Sequence, residues 1–120
     1  MEEGRPIFLQ IAEQIESSII DGSLPEEAQV PSTNELAAFH RINPATAAKG
    51  VNQLVDDGTL YKKRGIGMFV TPGAQAKLRQ RRRDQFSEQY LRPLLTEAAK
   101  LGIDAHELKS MIERHEEATR

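Results

Sequence analysis

The residues best suited to chemistry in this sequence are cations at a glycine turn. Lys62-Lys63-Arg64-Gly65-Ile66-Gly67 sets three positive charges beside two glycines, a shape that can follow a phosphate ridge or enter a minor groove. A solvated hairpin whose lysines keep its edge from pairing with other chains would read the same way. A second candidate surface is Asn43-Pro44-Ala45-Thr46-Ala47-Ala48-Lys49. If that stretch is helical, small residues at Ala45 and Ala48 let it sit deep in a groove about 12 Å wide. Thr46 offers a hydroxyl to phosphate or base and a methyl to thymine, while Lys49 suits a phosphate or a guanine. Taken singly, these side chains are equally ordinary solvent-facing helix residues.

Other chemistries find little support. There is no cysteine, so disulfides, thiolate metal sites and thiol nucleophiles are excluded. His40, His106 and His115 are the three histidines, and the last two stand nine apart, unlike the three or four of a helical metal pair. No carboxylates complete a metal site, nothing arranges a Ser-His-Asp set, and no glycine-rich phosphate loop is present. Neither an enzyme nor a cofactor is expected. No apolar run approaches the roughly 20 residues of a membrane span, and Met1-Glu2-Glu3 is unlike a secretory signal. A cytoplasmic chain without a membrane partner is expected.

The elements that must position these groups are legible from periodicity and caps. Ile7, Ile11, Ile15 and Ile19 recur every four residues, with Phe8, Ala12 and Ile20 beside them, so an amphipathic helix runs from about Pro6 to Asp21 and stops at Gly22. Leu24 to Pro31 reads as a loop. Ser32-Thr33-Asn34-Glu35 is a capping box that opens a short helix carrying Leu36, Ala37 and Phe39. Arg41-Ile42 makes a tight turn, and Asn43-Pro44 starts the next helix as N-cap and first residue. Its buried face is Ala47, Val51 and Leu54, which leaves Ala45, Thr46, Ala48, Lys49, Asn52 and Gln53 outward. Thr59 to Lys63 and Met68 to Thr71 form a β-hairpin around the glycine turn.

Helix, capped short helix, tight turn, capped helix and basic hairpin follow each other in the order of a winged helix-turn-helix. Charge alone does not support nucleic-acid binding. Residues 1–72 hold six Lys/Arg against ten Asp/Glu, and residues 73–120 hold ten against eight. Five of the first six cations lie between Arg41 and Arg64, so a DNA face there must be a local patch. The acidic balance also motivates an alternative, a winged helix used as a protein-interaction module without DNA binding.

Pro6-Ile7-Phe8-Leu9-Gln10-Ile11-Ala12, Gly22-Ser23-Leu24-Pro25, Val30-Pro31-Ser32, Glu35-Leu36-Ala37 and Arg64-Gly65-Ile66-Gly67-Met68-Phe69-Val70 together resemble the GntR family of bacterial transcription regulators. Ile42-Asn43-Pro44-Ala45-Thr46-Ala47-Ala48-Lys49 most resembles its YtrA subfamily. The resemblance implies a mainly α fold with a small β-hairpin: a winged helix-turn-helix DNA-binding domain over residues 1–72, then a short two-helix dimerisation segment over 73–120. It implies a repressor that binds double-stranded, palindromic operator DNA as a homodimer. Carried over residue by residue are Ser32, Thr46, Arg64 and Gly65. Asn34, Pro44 and Ala48 stand where many relatives have arginine, and Met68 where threonine is usual, so those contacts do not transfer. Asn34, Asn43, Ala45, Lys49, Lys63 and Gly67 complete the candidate DNA face on their own chemistry. The sequence is silent on an effector.

In the tail, Phe86, Tyr90, Leu94, Ala98 and Leu101 form another four-residue ladder that Gly102 can cap. Pro93 lies inside it and predicts a kink or break near Leu91-Arg92. Asp104 can cap a last helix carrying Leu108, Met111 and Ile112. The stripe Phe86, Tyr90, Leu94 and Leu101 exceeds what the one short following helix would bury, which points to a second copy, with Leu108 and Ile112 completing the dimerisation set; folding back on the first domain is the alternative. The basic run Lys77, Arg79 and Arg81-Arg82-Arg83 reads as a solvated helix face.

Overall fold

A computed structural model describes residues 4–120. Met1-Glu2-Glu3, read above as unlike a signal, lie outside the described residues. Helix α1 spans Ile7–Ile20, α2 Thr33–His40 and α3 Pro44–Asp56; strands β1 Leu60–Lys63 and β2 Gly67–Val70 pair antiparallel; α4 spans Ala74–Phe86, α5 Arg92–Lys100 and α6 Ala105–Thr119. Two compact units result, one ending at Gln80 and the other running from Arg81 to Arg120. The first unit passes beyond the Pro72-Gly73 turn because Ala74 and Leu78, one turn apart on α4, are buried in its core. The fold is thus mainly helical with one small hairpin, as expected from the sequence.

Ile11, Ile15 and Ile19 bury the inner face of α1 against Ala47, Val51 and Leu54 of α3, with Leu36, Leu60 and Val70 closing the core. Gly50 makes this contact possible. A Cβ there would lie 2.6 Å from the Phe8 carbonyl oxygen and 3.3 Å from the Ile11 Cβ, so only a bare backbone lets α3 approach α1 this closely. Pro6 is the N-cap of α1 and not its first helical residue; its carbonyl accepts from the N–H groups of Leu9 and Gln10. Phe39 is not a core residue. It is 82% exposed, because one turn on from Leu36 the inward position falls to His40, whose ring it meets edge-on at 4.9 Å.

The turn between α2 and α3 is a Schellman motif. Ile42 N–H reaches the Ala37 carbonyl (3.0 Å), Arg41 N–H reaches that of Ala38 (3.4 Å), and the Ile42 side chain packs on the core. The motif needs a left-handed residue, and Arg41 fills it at φ 56°. That conformation costs a side-chain-bearing residue about 1–2 kcal/mol. An exposed cation at a helix C-terminus gains only about 0.3–1 kcal/mol, so the fold by itself would favour glycine here.

The segment read as a loop before α2 is tied into the sheet. Val30 N–H donates to the Met68 carbonyl (2.9 Å), Val70 N–H to that of Ala28 (3.0 Å) and Glu27 N–H to that of Val70 (2.8 Å), and Gln29 bridges Phe69. The two-stranded hairpin is therefore flanked along β2 by a segment joined to it through one isolated β-bridge and these backbone hydrogen bonds.

In the second unit a five-residue π-helical turn, Ser87–Leu91, precedes α5, with Arg92 N–H donating to the Ser87 carbonyl. This is the interruption that Pro93 predicts. Its ring would collide with the carbonyl four residues back in an α-helix, and the wider π turn makes room. Asp104 caps α6 by accepting from Glu107 N–H at 2.8 Å. Replacing Gly50 with alanine should lower unfolding free energy by about 1–3 kcal/mol, read by urea denaturation. An unchanged midpoint would refute the close approach of α1 and α3.

Candidate nucleic-acid interface

Helix α3 presents its outward face already capped. Asn43 Oδ1 accepts from Ala45 N–H at 2.8 Å, and the Asn43 carbonyl accepts from the N–H groups of Thr46 (3.0 Å) and Ala47 (3.2 Å). Pro44 has no N–H to satisfy. The first turn thus meets its own hydrogen-bonding needs, and the Asn43 side-chain amide keeps its N–H groups for a ligand. Ala45, Lys49, Asn52, Gln53 and Asp56 are exposed, whereas Thr46 and Ala48 are half-buried at the flanks. Ala45, Ala48, Lys49, Asn52, Gln53 and Asp56 line a shallow concavity of about 530 Å³. Lys49 is held: its Nζ sits 4.1 Å from the centroid of the Phe8 ring on α1, which orders the side chain at a cost in reach.

At the start of α2 the capping box is complete. Ser32 Oγ accepts from Glu35 N–H, and Glu35 Oε1 accepts from Ser32 N–H, both at 3.1 Å. The Ser32 hydroxyl proton remains available to an acceptor such as phosphate. Asn34, in the first turn, is exposed.

The hairpin carries the third group. Lys63 pairs with Gly67 across the ladder, and Arg64-Gly65-Ile66 form the tip, closed by Ile66 N–H on the Lys63 carbonyl (2.9 Å). Lys63 is not a free tip cation. Its Nζ lies 4.4 Å from the Phe69 ring centroid and 5.9 Å from that of Tyr61, which stack on each other. The Tyr61 hydroxyl donates to the Glu27 carboxylate, and that hydrogen bond, with the nearby negative charge, raises the tyrosine pKa above its usual 10.0. Lys62 and Arg64 are exposed, as is Ile66.

Gln29 went unnoticed in the sequence, yet its side-chain amide donates to the Ile66 carbonyl at 3.0 Å from 37 positions away. Gly67 stands at φ 150°, and the Gln29 amide nitrogen lies 2.6 Å from where its Cβ would be. Gly67 thus serves the wing by admitting Gln29, and Gly65 by taking the left-handed turn at φ 76°. No spacing rule links a loop residue to a turn so distant in sequence. Ile66 and Asn52 were also absent from the candidate set, Ile66 because an apolar tip residue carries no polar signal.

Arg79 braces α1: its Nε (3.1 Å) and Nη2 (2.9 Å) both donate to the Ile20 carbonyl, beside the Gln75 amide (3.2 Å). In the second unit Phe86, Tyr90, Leu94, Leu101 and Ile112 are exposed, whereas Leu108 is buried. Leu108 is therefore not part of the exposed apolar surface. Among the described residues, no group of His, Cys, Asp or Glu could hold a metal ion, and no helix is long and apolar enough to cross a membrane.

The family profile for bacterial regulatory proteins of the gntR family matches residues 8–70, from α1 through the end of β2. The chain belongs to the gntR family. This gntR regulator is 28% identical over 107 residues to the HTH-type transcriptional repressor YtrA of Bacillus subtilis (strain 168), covering 89% of this chain and 82% of YtrA. Among solved structures, a GntR-family regulator from Bacteroides thetaiotaomicron is 31% identical with a TM-score of 0.73, covering 95% of this chain and 99% of that one. AraR(DBD), solved in complex with an operator, is 32% identical with a TM-score of 0.55 over 59% of this chain and 86% of AraR(DBD). The GntR and YtrA resemblance drawn from Ile42 to Lys49 and from the wing is confirmed, and the relatives are regulators, not enzymes.

Hydrogen bonds from the Ser32 backbone and side chain hold the Glu35 carboxyl below its usual 4.5. A lowered carboxylate pKa stabilises the fold above the ordinary value and stops doing so as pH falls through the lowered one. The stability advantage of the parent chain over Glu35→Ala should therefore be full near neutrality and shrink below about pH 4.5. Urea midpoints across that range test this, and a pH-independent gap would contradict it.

Proposed function

We propose that this DNA-binding gntR regulator acts in the cytoplasm as a homodimeric repressor on a twofold-symmetric operator. The outward face of α3 carries the reading. It is capped from within, flat at Ala45 and Ala48, and polar at Asn43, Thr46, Lys49 and Asn52, which suits close entry into a major groove. AraR(DBD), solved with an operator, shares the fold over the corresponding part of the chain.

In this reading the Ser32 hydroxyl and Asn34 meet phosphates from the start of α2. The Asn43 amide and Thr46 reach base edges or the adjacent backbone, and the Thr46 methyl favours thymine. Lys49, resting on Phe8, offers a fixed charge at the groove wall. Arg64 leads the wing while Lys63, against Phe69, contributes field more than reach. With few long cationic readers, shape and methyl contacts carry much of the specificity.

The exposed apolar residues Phe86, Tyr90, Leu94, Leu101 and Ile112 support dimerisation of the second unit through a second copy of the same face. A twofold dimer would set its recognition helices about 34 Å apart, one turn of DNA.

Fluorescence anisotropy with labelled duplexes tests the reading. Arg64→Ala should weaken binding to every duplex and lower the slope of log K against log salt by about 1. Thr46→Phe should instead reduce operator binding by about 1–3 kcal/mol while sparing non-specific affinity. If neither variant changed affinity, the α3 and wing assignments would be wrong.

A further inference from the structure

We propose that Arg41, in the turn of the helix-turn-helix, is a DNA-backbone contact that orients α3. The inference rests on the DNA-binding reading above. Among the described residues, two that are not glycine have a positive φ, Glu27 at 68° and Arg41 at 56°. Glu27 has a structural reason: its N–H pairs with the Val70 carbonyl and its carboxylate accepts from Tyr61. At Arg41 the backbone closes the Schellman turn on the Ala38 carbonyl, a task that glycine performs without strain, and the arginine side chain adds no contact of its own among the described residues. Its side chain is exposed, and among the described residues no acceptor or carboxylate is recorded at its guanidinium.

The Schellman geometry calls for a residue without a Cβ, and the gain of a cation at the end of α2 is smaller than the strain of placing arginine there. A strained residue that the fold does not need points to a role outside the fold. The location supplies that role. Arg41 lies two peptide units before Asn43, so their Cα atoms are no more than about 7.6 Å apart, at the end of α3 that enters the groove.

Charge supports the same placement. From Ser32 to Asp57 the Lys/Arg residues are Arg41 and Lys49, and Lys49 is held on the Phe8 ring. Asp56 and Asp57 sit at the opposite end of α3. Helix α3 is therefore preceded by a cation and ends in acids, while the other acid of the helix-turn-helix, Glu35, is engaged in the α2 capping box. A planar guanidinium at the turn can grip a phosphate through two parallel hydrogen bonds. That contact would anchor the N-terminus of α3 toward DNA while the acids repel the far end from the backbone.

Glycine at this position separates the two roles, since it keeps the left-handed turn and removes the cation. Arg41→Gly should melt at or above the temperature of the parent chain. It should bind duplexes about threefold to tenfold more weakly at moderate salt, with a salt slope smaller by about 1. Arg41→Lys should restore the slope and only part of the affinity, because an ammonium cannot make the paired contact. An Arg41→Gly protein that folds normally and binds with the parent's affinity and slope would overturn the proposal. Absence of any duplex binding by the parent chain at low salt would overturn the DNA-binding reading itself, and the proposal with it.

Discussion

The close packing of α3 on α1 at Gly50 is the constraint on which the rest of the first unit depends. With the Phe8 carbonyl 2.6 Å from a would-be Cβ, the two helices meet backbone to side chain over one turn, and Ala47, Val51 and Leu54 fall into the Ile11–Ile15–Ile19 stripe. Once that face is committed, the opposite face of α3 is Ala45, Lys49, Asn52, Gln53 and Asp56. The same approach sets the Phe8 ring under Lys49. A packing requirement in the core thereby decides which side chains a ligand meets.

A second coupling ties the wing to the loop before α2. Backbone pairing of Ala28 and Val30 with β2, the Gln29 amide on the Ile66 carbonyl and the Tyr61–Glu27 contact hold the hairpin at three points. A two-stranded hairpin alone is marginally stable, and these contacts give it a fixed tip. The cost to electrostatics is modest. Lys63 is exposed but drawn against Phe69, which leaves Lys62 and Arg64 as the wing charges with no ring to hold them. A domain with more acids than bases in its first 72 residues can still present a positive edge if the cations are gathered in this manner.

Most elements were legible because their signals are local. Ser32 and Glu35, Asn43 and Pro44, and Gly102 and Asp104 mark helix ends through contacts a few residues apart, and the structure shows the capping hydrogen bonds. The GntR-like segments likewise identified the fold and the regulator class. What sequence reading missed is non-local. Gln29 meets Ile66 across 37 positions, Lys49 rests on a ring on another helix, and Leu108 is buried although the neighbouring apolar stripe is open. Phe39 is a further case: the sequence places it on α2, but only the structure shows that the inward place goes to His40. The π turn lay between: Pro93 announces an interruption but not the way the backbone absorbs it.

The proposed function requires two copies of this chain to read DNA together through α3 and the wing. Selection of bound duplexes from a random pool tests it most directly, because binding, sequence preference and symmetry are read together. The expected result is an enriched motif of two inverted half-sites with centres about 10–10.5 base pairs apart or a multiple of that spacing. A pool that shows no enrichment, or that converges on a single unrepeated half-site, would contradict it.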